Sequence, residues 1–202
     1  MNKYLKNTEL PAPIKLAHIS VTTTENYEKM VEFYSELLNM RTILDMDNVA
    51  VKMTLLGFDE EHHRIGILKL PQGERPAAGT TGVEHSSWSF GALDNLIAAV
   101  KSFDERFGIW PAMVFHQGPT IALSYRDPDG NRVEVIADLL ESQDDIVAYM
   151  QEKGSDPKFN SLLRFDLRKF IELRESETPV EDLEKYETVL RLVQQGTLAP
   201  GV

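Results

Sequence analysis

IKLAHISVTTTENYEKMVEFYSELL, residues 14–38, decides the fold, because an altered second copy follows as TGVEHSSWSFGALDNLIAAVKSF, residues 81–103. Each copy opens as a strand around a central histidine, His18 or His85, and passes into a helix. The helices are read from apolar residues that return every three or four positions. These are Tyr27, Met30, Val31, Tyr34, Leu37 and Leu38 in the first copy, and Leu93, Leu96, Ile97 and Val100 in the second. Strand-like stretches follow both: VAVKMTLLG and HRIGILKL in the first half, PAMVFH, TIALSY and RVEVIAD in the second. Each half therefore predicts a βαβββ unit. The ends agree as well, since DEEHHRIGILKL from Asp59 aligns with DPDGNRVEVIAD from Asp127. The histidines stand 67 residues apart (85 − 18) and the aspartates 68 (127 − 59), so one register covers both ends. The expected fold class is α+β: two βαβββ modules, about residues 14–72 and 81–140, forming a curved mixed sheet around a metal site. Residues 1–13 read as an extended arm and 141–202, rich in charged helical sequence, as a C-terminal helical extension that covers the sheets by simple packing.

The metal site comes from the positions the repeat brings together. Asp127, Pro128, Asp129 and Gly130 supply turn chemistry, with proline presetting one backbone angle and glycine accepting the positive one. In the strand beyond, alternation places Val133 and Val135 on one face and Glu134 on the other. Two equivalent first strands side by side bring His18 and His85 together, and the last strand carries Glu134 to the same face. Two imidazoles and one carboxylate are the facial set of non-haem Fe(II), with positions left open for substrate and O2; Mn(II) fits the same donors. The first-half counterpart of Glu134 is Gly66, flanked by Ile65 and Ile67, so no fourth ligand is available there. Three ligands leave room for a chelating substrate together with O2, whereas four suit Lewis-acid isomerisation or lysis.

Composition narrows the classes. With 202 residues and 42% hydrophobic content the chain can bury a real core. No apolar run approaches the length a bilayer needs, and MNKYLKNTELPAP lacks the apolar block of a secretory signal. The absence of cysteine rules out disulfides and thiolate metal sites. A net charge of −11, with no basic stripe to offset it, repels polyanions and excludes nucleic acid as a partner. A cytoplasmic protein acting on a small molecule, and forming a homo-oligomer of two or more copies, is expected.

Over about residues 14–140 the chain resembles the vicinal oxygen chelate superfamily, and within it the single-domain type I extradiol ring-cleavage dioxygenases. The resemblance is carried by VFHQGPTIALSYRDPDGNRVE, from His116 to Glu134, together with EHHRIGI and GVEHSSWSF. It implies Fe(II) held by His18, His85 and Glu134, and a catechol such as 2,3-dihydroxybiphenyl cleaved with O2. It implies His63 as the acid-base histidine and His116 as the histidine that hydrogen-bonds substrate or oxygen. Strand alternation instead puts His62, not His63, on the first-half face equivalent to that of Glu134, so both remain candidates. Ser124 stands where the pattern has a tyrosine, ten residues before the glutamate, and Tyr125 is adjacent; Ser124, Tyr125 and His62 are therefore the candidate substrate contacts. Tyr125 can substitute only if the strand slips or bulges. Gln117 reads as an insertion after His116, and Phe115, Trp88 and Trp110 are candidate rings for an aromatic pocket. Two rival readings share the architecture: a metal-dependent isomerase or lyase of the glyoxalase type, disfavoured by Gly66, and a non-enzymatic protein that sequesters a flat ligand, as bleomycin-resistance relatives do.

Overall fold

The computed structural model describes residues 13, 15–75, 81–176 and 180–201. The expected arm over residues 1–13 lies outside them except for Pro13. The first module runs β1 (Ile19–Thr23), α1 (Tyr27–Leu37), β2 (Arg41–Asp47), β3 (Lys52–Gly57) and β4 (Ile65–Lys69). The second runs β5 (Ser86–Ser89), α2 (Leu93–Phe107), β6 (Met113–His116), β7 (Thr120–Arg126) and β8 (Arg132–Asp138). Both are βαβββ. No helix among the described residues is long and apolar enough to cross a membrane.

The strands form two mixed sheets, one per module, in the orders β1-β4-β3-β2 and β5-β8-β7-β6-β9, with β9 (Leu163–Arg164) coming from the C-terminal region. In each module the first strand pairs parallel with the last, and hairpins supply the antiparallel neighbours. Ser20 lies opposite Gly66 and Ser87 opposite Glu134, so the offsets of 67 (87 − 20) and 68 (134 − 66) recur in the hydrogen-bonded ladders. The backbone register thus reproduces the sequence repeat.

Helix packing joins the modules. α1 buries Tyr27, Met30, Phe33, Tyr34 and Leu37, and α2 buries Leu93, Leu96, Val100 and Phe103, all in one core. A side chain as completely buried as Met30 contributes roughly 1.5–3 kcal/mol. Phe33 meets Phe103 edge-to-face at 5.6 Å between centroids. α2 stops at Gly108, whose φ of 65° is the left-handed cap conformation that glycine adopts without strain. α1 has no side-chain cap, because Asn26 turns its amide across to Pro128 O at 3.2 Å and Asp129 Oδ1 at 2.7 Å, both in the second module's turn. In that turn the buried Asp127 carboxylate accepts from the amides of Asp129 and Asn131, the Asn131 side chain and the Tyr34 hydroxyl of α1. Burial pushes the Asp127 pKa up.

The C-terminal extension comprises α3 (Gln143–Lys153), α4 (Leu167–Glu175), α5 (Val180–Glu184) and α6 (Tyr186–Gln194). Its middle stretch is not one helix. Leu163 and Arg164 pair with the free edge of β6, and Asp166 then caps α4 by accepting from the amides of Arg168 and Lys169. α4 lies along α2 through Arg168 with Asp104, Arg174 with Asp94 and Lys101 with Glu175. Packing is the role this arrangement displays.

Candidate metal centre

Register fixes which side chains share a face. In the second sheet Glu134, Ser124 and Ser87 are cross-strand partners, and His85, two residues before Ser87, falls on their side. Val133 and Val135 occupy the other side, under α2, and are fully buried. His85 Nε2 lies 3.5 Å from Glu134 Oε1, and Ser87 Oγ donates to the same oxygen at 2.9 Å. A separation of about 3.0–3.5 Å is what two donors on one ion require at bond lengths near 2.1 Å. Glu134 is buried and, among the described residues, pairs with no lysine or arginine. A divalent cation would find in this carboxylate and the facing imidazole two donors with no competing lysine or arginine.

His85 is oriented from behind. Its Nδ1 meets the Glu84 carboxylate, which also holds Arg132, and this lowers the Glu84 pKa, the His85 contact first and Arg132 second. A carboxylate on Nδ1 fixes the tautomer that leaves Nε2 available to a cation. Sequence reasoning gave Glu84 no role, although its adjacency to His85 was the available signal.

In the first module His18 stands directly before β1 and Gly66 lies opposite Ser20. A Cβ added at Gly66 would lie 3.0 Å from Ser20 Oγ and 3.4 Å from a Leu55 methyl, a tight fit that Ser20 would have to relieve by turning aside. Arg64 anchors the segment leading to His18, donating to the carbonyls of Leu16 and Ala17 at 2.8 and 3.0 Å while Asp59 grips its guanidinium. His18, Phe58, Arg64 and Trp88 of β5 line a cavity of about 140 Å³, which places the start of β1 beside the second module.

The structure gathers His18 with His62 and His63, and His85 with Glu134. Ligand nitrogens of His18, His62 and His63 all lie within 4.8 Å of one another, and this is the sole such group of three among the described residues. Residues 58–64 are not a strand, so alternation does not apply to His62 and His63. Both rings reach His18, at 5.7 and 4.2 Å between centroids. The His63 pKa is lowered by burial first and then by the neighbouring His18 and His62 rings.

Two expected site residues lie on the wrong face. The β6–β7 and β7–β8 ladders run without a shift, so Tyr125, opposite Val133, points under α2 against Phe103, while Ser124 keeps the Glu134 side and accepts from Arg132 Nε at 3.1 Å. His116 is opposite Ile121, which is opposite Ala137, again the core side. It is fully buried; its Nδ1 accepts from the Gly118 amide, and Tyr186 stacks edge-on. Burial drives its pKa down to about 4. Gln117 sits in the hairpin, where its amide donates to Thr120 O. Of the candidate rings, Phe115 shares the Glu134 side, Trp88 packs on Phe58, and Trp110 is covered by Arg168.

Residues 15–135 match the Glyoxalase/Bleomycin resistance protein/Dioxygenase superfamily. The chain belongs to that superfamily. Two superfamily relatives, both from Rhodococcus globerulus, are "Biphenyl-2,3-diol 1,2-dioxygenase 2", 32% identical over 73% of this chain and 76% of the relative, and "Biphenyl-2,3-diol 1,2-dioxygenase 3", 34% identical over 73% and 78%. Among solved superfamily structures, the glyoxylase/bleomycin resistance protein/dioxygenase domain from Frankia sp. EAN1pec matches with a TM-score of 0.52 at 15% identity, over 63% of this chain and 93% of that one. A glyoxalase/dioxygenase from Nostoc punctiforme matches at 0.51 and 17%, over 66% and 99%. At these identities the solved structures speak for the superfamily fold alone.

Proposed function

We propose that the protein is an Fe(II)-dependent extradiol dioxygenase that cleaves a catechol of the 2,3-dihydroxybiphenyl kind, with His18, His85 and Glu134 as metal ligands and Mn(II) as an alternative ion. The observation that carries this reading is the buried Glu134 carboxylate facing His85 Nε2 at 3.5 Å, with Glu84 behind the imidazole. The dioxygenase names of the two relatives, each matched over more than two thirds of its length, support the reaction class. Gly66, in the place that corresponds to Glu134, carries no donor, which speaks against a fourth ligand and hence against the isomerase or lyase alternative.

When bound, iron would supply open coordination positions for the two catechol oxygens and for O2. The chain's residues do the rest. His85 and Glu134 would hold the ion from the second module and His18 from the first. His63, neutral at pH 7 because its pKa is lowered, takes the catechol proton. Leu55 and Leu68 in the first sheet, and Phe115 and Ile136 in the second, lie on the same faces as Gly66 and Glu134 and offer apolar surface to a flat ring. His116 is left out of the chemistry, since it faces the core.

Anaerobic reconstitution with Fe(II), followed by 2,3-dihydroxybiphenyl and air, tests the proposal. The expected result is bound iron and a yellow ring-cleavage product. Bound iron without product from this or simpler catechols overturns the activity, and absence of bound iron overturns the centre.

A further inference from the structure

The first module carries more imidazole than the proposed centre uses. His62 Nδ1 lies 2.5 Å from His63 Nδ1, and a His18 nitrogen is within 4.8 Å of both. Two nitrogens on one tetrahedral zinc ion sit about 3.3 Å apart, so small rotations of these rings meet that spacing. Sequence neighbours can converge on one point here because residues 58–64 leave the pleated strand geometry that would throw His62 and His63 to opposite sides. Glu61 beside them is engaged elsewhere: its carboxylate pairs with Lys15 and accepts from the His62 backbone amide, while the His62 ring nitrogen stands 3.6 Å from it, so His62 Nδ1 stays directed at His63.

We propose that His18, His62 and His63 form a second divalent-cation site, a three-imidazole site that takes Zn2+, Ni2+ or Cu2+ in preference to Fe2+ or Mn2+. The preference follows from the donors: three nitrogens without a carboxylate favour the later, softer ions of the first transition row. On the reading given under Proposed function, the site shares the ligand His18 and the base His63 with the iron centre, so the two ions exclude one another and zinc acts as an inhibitor that removes both. His62 is exposed, so replacing it leaves the core untouched.

The test is titration of the metal-free, full-length protein with Zn2+ and, separately, Mn2+ against a chelating indicator, for the unmodified chain, His62→Ala and Glu134→Gln. The expected result is a crossover. His62→Ala weakens Zn2+ binding at least roughly tenfold and changes Mn2+ binding by less than about threefold, while Glu134→Gln does the reverse. Zn2+ affinity unaffected by His62→Ala, or reduced equally by both substitutions, overturns the three-imidazole site. If His62→Ala weakens Zn2+ while Glu134→Gln leaves Mn2+ unchanged, the three-imidazole site stands and the iron centre is the reading that fails.

Discussion

The two modules share a backbone plan and differ in what they place on it. Arg64 and Arg132 occupy equivalent positions, and each tethers the segment before a candidate ligand histidine, Arg64 through the carbonyls of Leu16 and Ala17, Arg132 through Glu84. Ser20 and Ser87 are equivalent too. Ser87 donates to Glu134, whereas Ser20 lies opposite Gly66, its Oγ 3.0 Å from where a Cβ there would sit. Asp59 and Asp127 diverge in the same manner, the first gripping Arg64 near the surface, the second buried and binding a turn, its own module and α1 of the other. Duplication conserves the register of a sheet because side-chain alternation depends on it. It leaves each copy free to specialise, one toward a carboxylate, the other toward a cluster of imidazoles.

Breaking that symmetry gives effects of descending size. Asp127→Ala strands two backbone amides, the Asn131 side chain and the Tyr34 hydroxyl, and should cost about 3–5 kcal/mol in chemical denaturation. Asp59→Ala, its counterpart, should cost far less, since its partner Arg64 can turn to water. A comparable cost to both would refute the division of labour.

His116 tests the covered face of the second module. Its folded pKa of about 4 lies below the ordinary value of 6.5, so the unfolded chain binds the extra proton first as pH falls. Its neutral burial is fully tolerated above pH 6.5 and costs progressively more stability down to about pH 4, to a total of about 3 kcal/mol. His116→Gln should flatten that part of the stability profile and leave metal content unchanged. An unaltered pH profile combined with lost metal would return His116 to the site.

Glu84→Gln removes the carboxylate behind His85 and should weaken Fe(II) or Mn(II) binding about 10–100-fold with the fold intact, measured by competition with a chelator. Gly66→Ala is the mildest change. It asks only that Ser20 Oγ turn aside, and should shift stability by less than about 1 kcal/mol with no effect on metal affinity.

Much of this was legible in the chain. Periodicity gave both helices, and alternation across RVEVIAD separated Glu134 from Val133 and Val135, because those signals are local. The offsets of 67 and 68 fixed the register of both parallel pairs. The face of His116 was not legible, since it depends on ladders carried through two hairpins, a relation set by turn geometry and not by the residues around it. The loop at 58–64 defeated alternation for His62 and His63, because a segment outside a strand has no period. β9 was hidden for a third reason: Leu163 and Arg164 become strand only because β6 presents an open edge.

The central claim is that Glu134, with His85, supplies the metal centre that its counterpart Gly66 cannot. Anaerobic Fe(II) binding by the unmodified chain and by Glu134→Gln, with circular dichroism to verify folding, tests it most directly. The account predicts at least a roughly tenfold loss of affinity in the folded variant; equal affinity in the two proteins would contradict it.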